Sequence, residues 1–278
     1  MNGQAISLPG LPYRQGRPGP ILVDADGYTR RRLLGGGAIP WGDLGALASY
    51  VGRYVALFTA DAALIDVGDA WSYRAGTPAF VAVASSQTRR GRSLRALLDD
   101  DGCRALVLEA LHTVVAAVQV PVVAAIPSPR RWARMANALA GVPDQPVDGD
   151  TVEAAAMYIA GALSGIAGTG ISALLIDEGD DAVEDLPTPD VYAPIANVAG
   201  HLHWPMLLRT DNVRCWPHGP VGAIAAWIGN GPGGEGAWGV VGEIAAALPE
   251  GSPGAPRIVR VSQDADPDQV SAAIRCWS

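Results

Sequence analysis

The segment SALLIDEGDD ends an apolar run on two adjacent carboxylates, Asp177 and Glu178. A carboxylate that terminates a buried strand is partly desolvated, which raises its pKa toward the range useful for proton transfer. Asp180, Asp181, Glu184 and Asp185 follow closely and read as a solvated charge run. The structural alternative for Asp177 is a helix cap or a partner for Arg209. Arg209 ends the next apolar run, WPMLLR, with Asp211 two residues on. A guanidinium at a strand end offers a planar fork for a carboxylate, or forms an Arg–Asp pair of purely structural value. Ser128 follows VPVVAAI as a further polar group, and His218 lies after WPMLLR as a general-acid candidate.

His201-x-His203 and Cys215-x-x-His218 invite a metal reading. The first pair precedes WPMLLR and the second follows it, and a six-residue strand separates its ends by about 20 Å. No metal and no cofactor are therefore expected. Trp204, Trp216, Trp227 and Trp238 read as pocket walls or as ordinary core and rim residues.

The chain contains no Lys, so all 20 basic side chains are Arg. Schiff-base catalysis, pyridoxal phosphate anchoring and a phosphate-loop lysine are thereby excluded. A net charge of −8 argues against a nucleic-acid partner, which demands a basic stripe. Three widely spaced cysteines suit a reducing compartment. The start, MNGQAISLPG, shows no charged region leading into an apolar one, and the stretch near Val114–Ile126 is too short to span a bilayer. The expectation is a cytoplasmic protein acting on a small, anionic molecule, with no membrane partner; a homodimer is compatible with it.

The elements that must position these residues are short apolar runs alternating with longer helical segments, which indicates an α/β fold with a parallel sheet. The runs are VALF (55–58), AFVAVA (79–84), VPVVAAI (120–126), SALLID (172–177), WPMLLR (204–209), GAIAAWI (222–228) and RIVRVS (257–262). LIDV (64–67) or WGVV (238–241) supplies the eighth. Helices are predicted over 102–118, 129–140, 150–168, 190–200, 238–248 and 266–276, with Asp150 as an N-cap. The length suits one (β/α)8 TIM-type barrel, and no Gly-rich turn of the dinucleotide-binding kind follows an early strand. Residues 1–50 read as an N-terminal arm containing a hairpin that turns at Asp26-Gly27, and residues 51–278 as the barrel, within a single structural domain. In a barrel the strand ends carry function. That rule adds Ser85, Ser86, Gln87, Arg130, Arg131, Trp132, Asn212, Asn230, Gln263 and Asp264 to the candidates.

SALLIDEGD resembles the IDEP strand motif of cobalamin-independent methionine synthases. YRQGR (13–17) resembles a shortened RQAGR motif of uroporphyrinogen decarboxylases, which belong to the same barrel superfamily. The resemblance implies a barrel whose C-terminal face handles a carboxylated or thiol-bearing substrate, with Arg14 and Arg17 as anion binders and Asp177 and Glu178 in the pocket. The zinc-binding His-x-Cys of the methionine synthases has no counterpart in LLRTDNVRC. The leading expectation is a metal-independent lyase or decarboxylase working by acid/base catalysis on a small carboxylate-bearing substrate. The catalytic candidates are Asp177, Glu178 and His218, and the substrate-binding ones are Arg209, Asp211, Arg14, Arg17 and Ser128. A methyl or alkyl transferase and a non-catalytic ligand- or partner-binding barrel are the alternatives.

Overall fold

A computed structural model describes residues 11–77, 92–179, 189–210, 224–229, 238–245, 248, 250 and 253–277. Eight strands form one all-parallel sheet: β1 (Ile21–Asp24), β2 (Ala63–Asp66), β3 (Val122–Pro127), β4 (Ala173–Asp177), β5 (Met206–Thr210), β6 (Ile224–Gly229), β7 (Trp238–Glu243) and β8 (Arg257–Arg260). Ladders join consecutive strands from β2 through β8, and β8 pairs with β1. This cyclic order is that of a (β/α)8 barrel.

The described helices are α1 (Asp26–Leu34), α2 (Leu44–Phe58), α3 (Val67–Ala75), α4 (Arg92–Asp99), α5 (Asp101–Ala117), α6 (Pro129–Leu139), α7 (Gly149–Ser164), α8 (Ala193–His201) and α9 (Pro267–Trp277). Short polar residues start several of them: Asp43 accepts from the Ala46 amide, Asp100 from Cys103, Ser128 from Arg131 and Asp148 from Thr151. Each satisfies an amide that the first helical turn leaves without a partner. No described helix is long and apolar enough to cross a membrane.

Alternation along the strands builds two apolar layers. Leu22, Val123, Ala125, Leu175, Leu207, Ile228, Val241 and Ile258 fill the barrel interior. Val23, Ile65, Ala124, Ile176 and Leu208 face the helical shell. In that shell Trp71 and Trp132 pack edge to face, ring centroids 5.2 Å apart.

Several sequence expectations are corrected. Residues 21–34 form β1 and α1 rather than a hairpin, because Asp26-Gly27 occupies the first turn of a helix that ends at Gly35 in the left-handed region. VALF is the end of α2, whose buried Leu47, Tyr50, Val51, Tyr54 and Phe58 follow helical spacing. Both LIDV and WGVV belong to strands, so the helix expected over 238–248 is instead β7 at its start. Asp148, not Asp150, caps α7. AFVAVA lies outside the described residues.

The stretch before β1 closes the barrel floor. Leu11 packs into the interior layer beside Leu22 and Ala62. The Arg17 guanidinium sits 2.7 Å from the Asp61 carboxylate, both nearly fully buried, and Arg17 Nε also donates to the Trp277 carbonyl.

Candidate active site

Two residues beyond the last interior apolar side chain, five strands place charged groups at their C-terminal ends: Asp24, Asp66, Asp177, Arg209 and Arg260. All five line one cavity of about 480 Å³, with Asp26, Asp69 and Arg131 from the adjoining helices. Arg209 donates to Asp24 at 2.7 Å, with its Nε 3.7 Å from Asp177, and Arg131 donates to Asp177 at 2.6 Å. These pairs tie β1, β4, β5 and α6 together at the mouth.

Asp66 ends β2 and caps α3, its Oδ1 accepting from the Asp69 amide at 3.2 Å. Its side chain is exposed to the cavity, with protein packed densely around the site. Desolvation by burial is the largest effect on it, and the negative charges of Asp69 and Asp177 act in the same direction. The amides of Asp69 and Gly68 oppose them, and the carboxyl is pushed from 3.8 up to about 7. A carboxyl at that value exchanges a proton readily near neutral pH. The close packing beneath it requires Gly68, where a Cβ would stand 2.4 Å from Pro127 Cδ.

Asp69 accepts from the Trp41 indole at 2.7 Å, which holds the chain segment between α1 and α2 over the cavity. Burial also raises the pKa of Asp26. Gly179, just past β4, has φ of +68° and would press a Cβ to 3.0 Å from Arg131. A glycine there lets Arg131 reach Asp177.

Among the described residues no strand ladder joins β1 to β2, and contacts from Asp61 and Tyr54 span the gap. Asp61 bonds both the amide and the carbonyl of Ile21. Higher up, the Tyr54 hydroxyl donates to the Val23 carbonyl at 2.6 Å. Inward-facing Asp24 and Leu64 and outward-facing Val23 and Ile65 line the same cavity.

Of the residues singled out from sequence, Asp177, Arg209 and Arg131 meet in this cavity. Glu178 faces the other way: it is 4% exposed, and its carboxylate accepts from the Tyr192 hydroxyl and is hydrogen-bonded by Ser128. Burial raises its pKa despite these bonds. Ser128 serves there and as the α6 cap. Arg14 and Arg17 lie at the barrel floor, opposite the cavity, where the Arg14 amide donates to Asp61. His201 and His203 precede β5 and also lie away from the mouth. Asp211 and His218 lie outside the described residues, as do Ser85, Ser86, Gln87, Asn212, Asn230 and Cys215. Among the described residues, no three His, Cys, Asp or Glu are arranged to hold a metal ion. Asp24, Asp66 and Arg260 were missed, although ILVD and ALID end on Asp as ALLID does.

Fold and site define a (β/α)8 barrel with a charged cavity at the C-terminal ends of its strands. Solved structures similar to the chain include a methyltransferase from Methanosarcina mazei, 12% identical over 100% of this chain and 94% of that one, TM-score 0.49. The apo form of the homocysteine methyltransferase MmuM from Escherichia coli is 12% identical over 95% and 97% of the two chains, TM-score 0.45. A dihydrodipicolinate synthase from Bacillus clausii is 12% identical over 84% and 72%, TM-score 0.34. No protein-family model matches the chain, and no curated protein matches its sequence.

Proposed function

We propose that the chain is a barrel enzyme, a lyase or decarboxylase, that transfers a proton to or from a small carboxylate-bearing substrate. The observation that carries this reading is Asp66, which lines the mouth cavity among three arginines and is able to hold or release a proton near neutral pH. Asp66 is the general acid/base. Arg209 and Arg260 face the same cavity and supply the guanidinium donors for the substrate carboxylate.

Charge balance narrows the substrate. Asp24, Asp26, Asp66, Asp69 and Asp177 outnumber Arg131, Arg209 and Arg260 in the lining, so a dianion would be repelled. A single carboxylate beside a hydroxyl or amino group fits better, because that group donates to the surrounding acids. Arg209 and Arg131 are already engaged with Asp24 and Asp177, but each guanidinium carries five N–H donors and can serve two acceptors.

The test is solvent-deuterium incorporation, followed by NMR, into a panel of small 2-hydroxy and 2-amino monocarboxylates. Wild-type protein is expected to label at least one member, Asp66→Asn to abolish labelling, and Glu178→Gln to retain it. Labelling that survives in Asp66→Asn overturns the assignment, as does a panel that wild type leaves unlabelled.

A further inference from the structure

An ion pair crosses the mouth of the barrel. Arg209 stands at the end of β5 and Asp24 at the end of β1, and the strand order sets β1 and β5 four places apart, on opposite sides of the ring. The 2.7 Å bond between the two side chains therefore spans the mouth. The Arg209 side chain is 10% exposed and that of Asp24 31%, so the pair is partly shielded from water and its acidic end is the more open. A second pair, Arg131 with Asp177, stands beside it, and Arg209 Nε is 3.7 Å from that same Asp177. Both pairs line the cavity, as does Asp66 from the strand next to β1.

A ligand that takes one partner of such a pair strands the other. A carboxylate that binds Arg209 in place of Asp24 leaves Asp24 beside a second negative charge, in a lining where five carboxyl groups already face three guanidiniums. A ligand with opposite charges on neighbouring atoms avoids this. Its anionic group replaces Asp24 on Arg209, and its cationic group replaces Arg209 on Asp24. A hydroxyl on the same carbon donates a hydrogen bond to Asp24 but leaves the charge uncompensated.

We propose that the head group is a 2-amino acid in its zwitterionic form, with its ammonium held by Asp24 and its carboxylate by Arg209. The proposal rests on the head-group reading given above and narrows it: Asp24 becomes a binding residue, and a 2-hydroxy acid becomes the poorer ligand. Asp66, on the neighbouring strand, flanks a head group held in this way.

Calorimetric titration at pH 7 with two matched trios tests this. The first is alanine, lactate and propionate; the second is leucine, 2-hydroxy-4-methylpentanoate and 4-methylpentanoate. Within a trio the skeleton is fixed and only the group on the 2-carbon changes. In at least one trio wild-type protein is expected to bind the amino acid about tenfold or more tighter than its hydroxy counterpart, with the unsubstituted acid weakest. Asp24→Asn keeps an oxygen for Arg209 and removes the charge, so it should abolish that preference. The wild-type comparison stands without the variant should Asp24→Asn fail to fold. Hydroxy acids that bind wild type within about tenfold of their amino counterparts in both trios, or more tightly, overturn the inference and leave the head-group reading standing. An undiminished preference in folded Asp24→Asn does the same. Wild-type protein that binds no member of either trio overturns both.

Discussion

Replacing Asp66 with Asn should stabilise the protein, and the gain should depend on pH in a defined direction. Asn keeps the side-chain oxygen that caps α3, so the local hydrogen bond to the Asp69 amide survives. What disappears is the ionisable group. In the folded chain the carboxyl titrates at about 7, against 3.8 for the ordinary value. Above pH 7 the folded state must hold an ionised, poorly solvated Asp66 that the unfolded chain solvates freely. That penalty shrinks as pH falls through 7 and is gone below about 4. A shift of about three units sets a ceiling of about 4 kcal/mol. Because Asp66 opens onto the cavity, solvent screening reduces the figure to about 1–2 kcal/mol. Asp66→Asn is therefore expected to gain about 1–2 kcal/mol at pH 8, a rise in midpoint of about 2–4 °C per kcal/mol for a chain of this size, and nothing at pH 4. Paired denaturation curves at pH 4, 6 and 8 measure it. A gain that is constant with pH, or largest at low pH, refutes the desolvated carboxyl.

Two further substitutions separate structural from functional groups. Arg17→Met leaves Asp61 charged and buried at the barrel floor and should cost about 3–5 kcal/mol in denaturant; the folded fraction should still label substrate, because the cavity lies at the other end. Tyr54→Phe removes the donor to the Val23 carbonyl and should cost about 2 kcal/mol by leaving that buried group without its partner, read by denaturation at pH 7.

The barrel was legible because its strands are continuous apolar runs and most of its helices keep a 3.6-residue period. VALF misled because four consecutive apolar residues at the end of α2 look like a strand when taken out of the register set by Tyr50, Val51 and Tyr54. ILVD was hidden by the Asp-Gly that follows it, a turn signal that here falls inside a helix start. Consequently Asp24 went unnoticed, and Asp66 with it, although each ends its strand as Asp177 does. Asp177 and Arg209 are legible because the apolar runs that lead to them, SALLID and WPMLLR, are longer and unambiguous as strands. Glu178 was chosen with Asp177, yet adjacent strand residues point to opposite faces, and only one of the two can look into the barrel. Arg17 resembled an anion binder because nothing local in the sequence shows that Asp61 lies 44 positions away to receive it.

The central claim is that Asp66 moves the substrate proton at the barrel mouth. The pH profile of solvent-deuterium incorporation into a bound hydroxy or amino acid tests it most directly. Wild-type protein should show a limb with a midpoint near 7, and Asp66→Asn should lack both the limb and the labelling. A limb near 4, or an unchanged profile in Asp66→Asn, would contradict the claim.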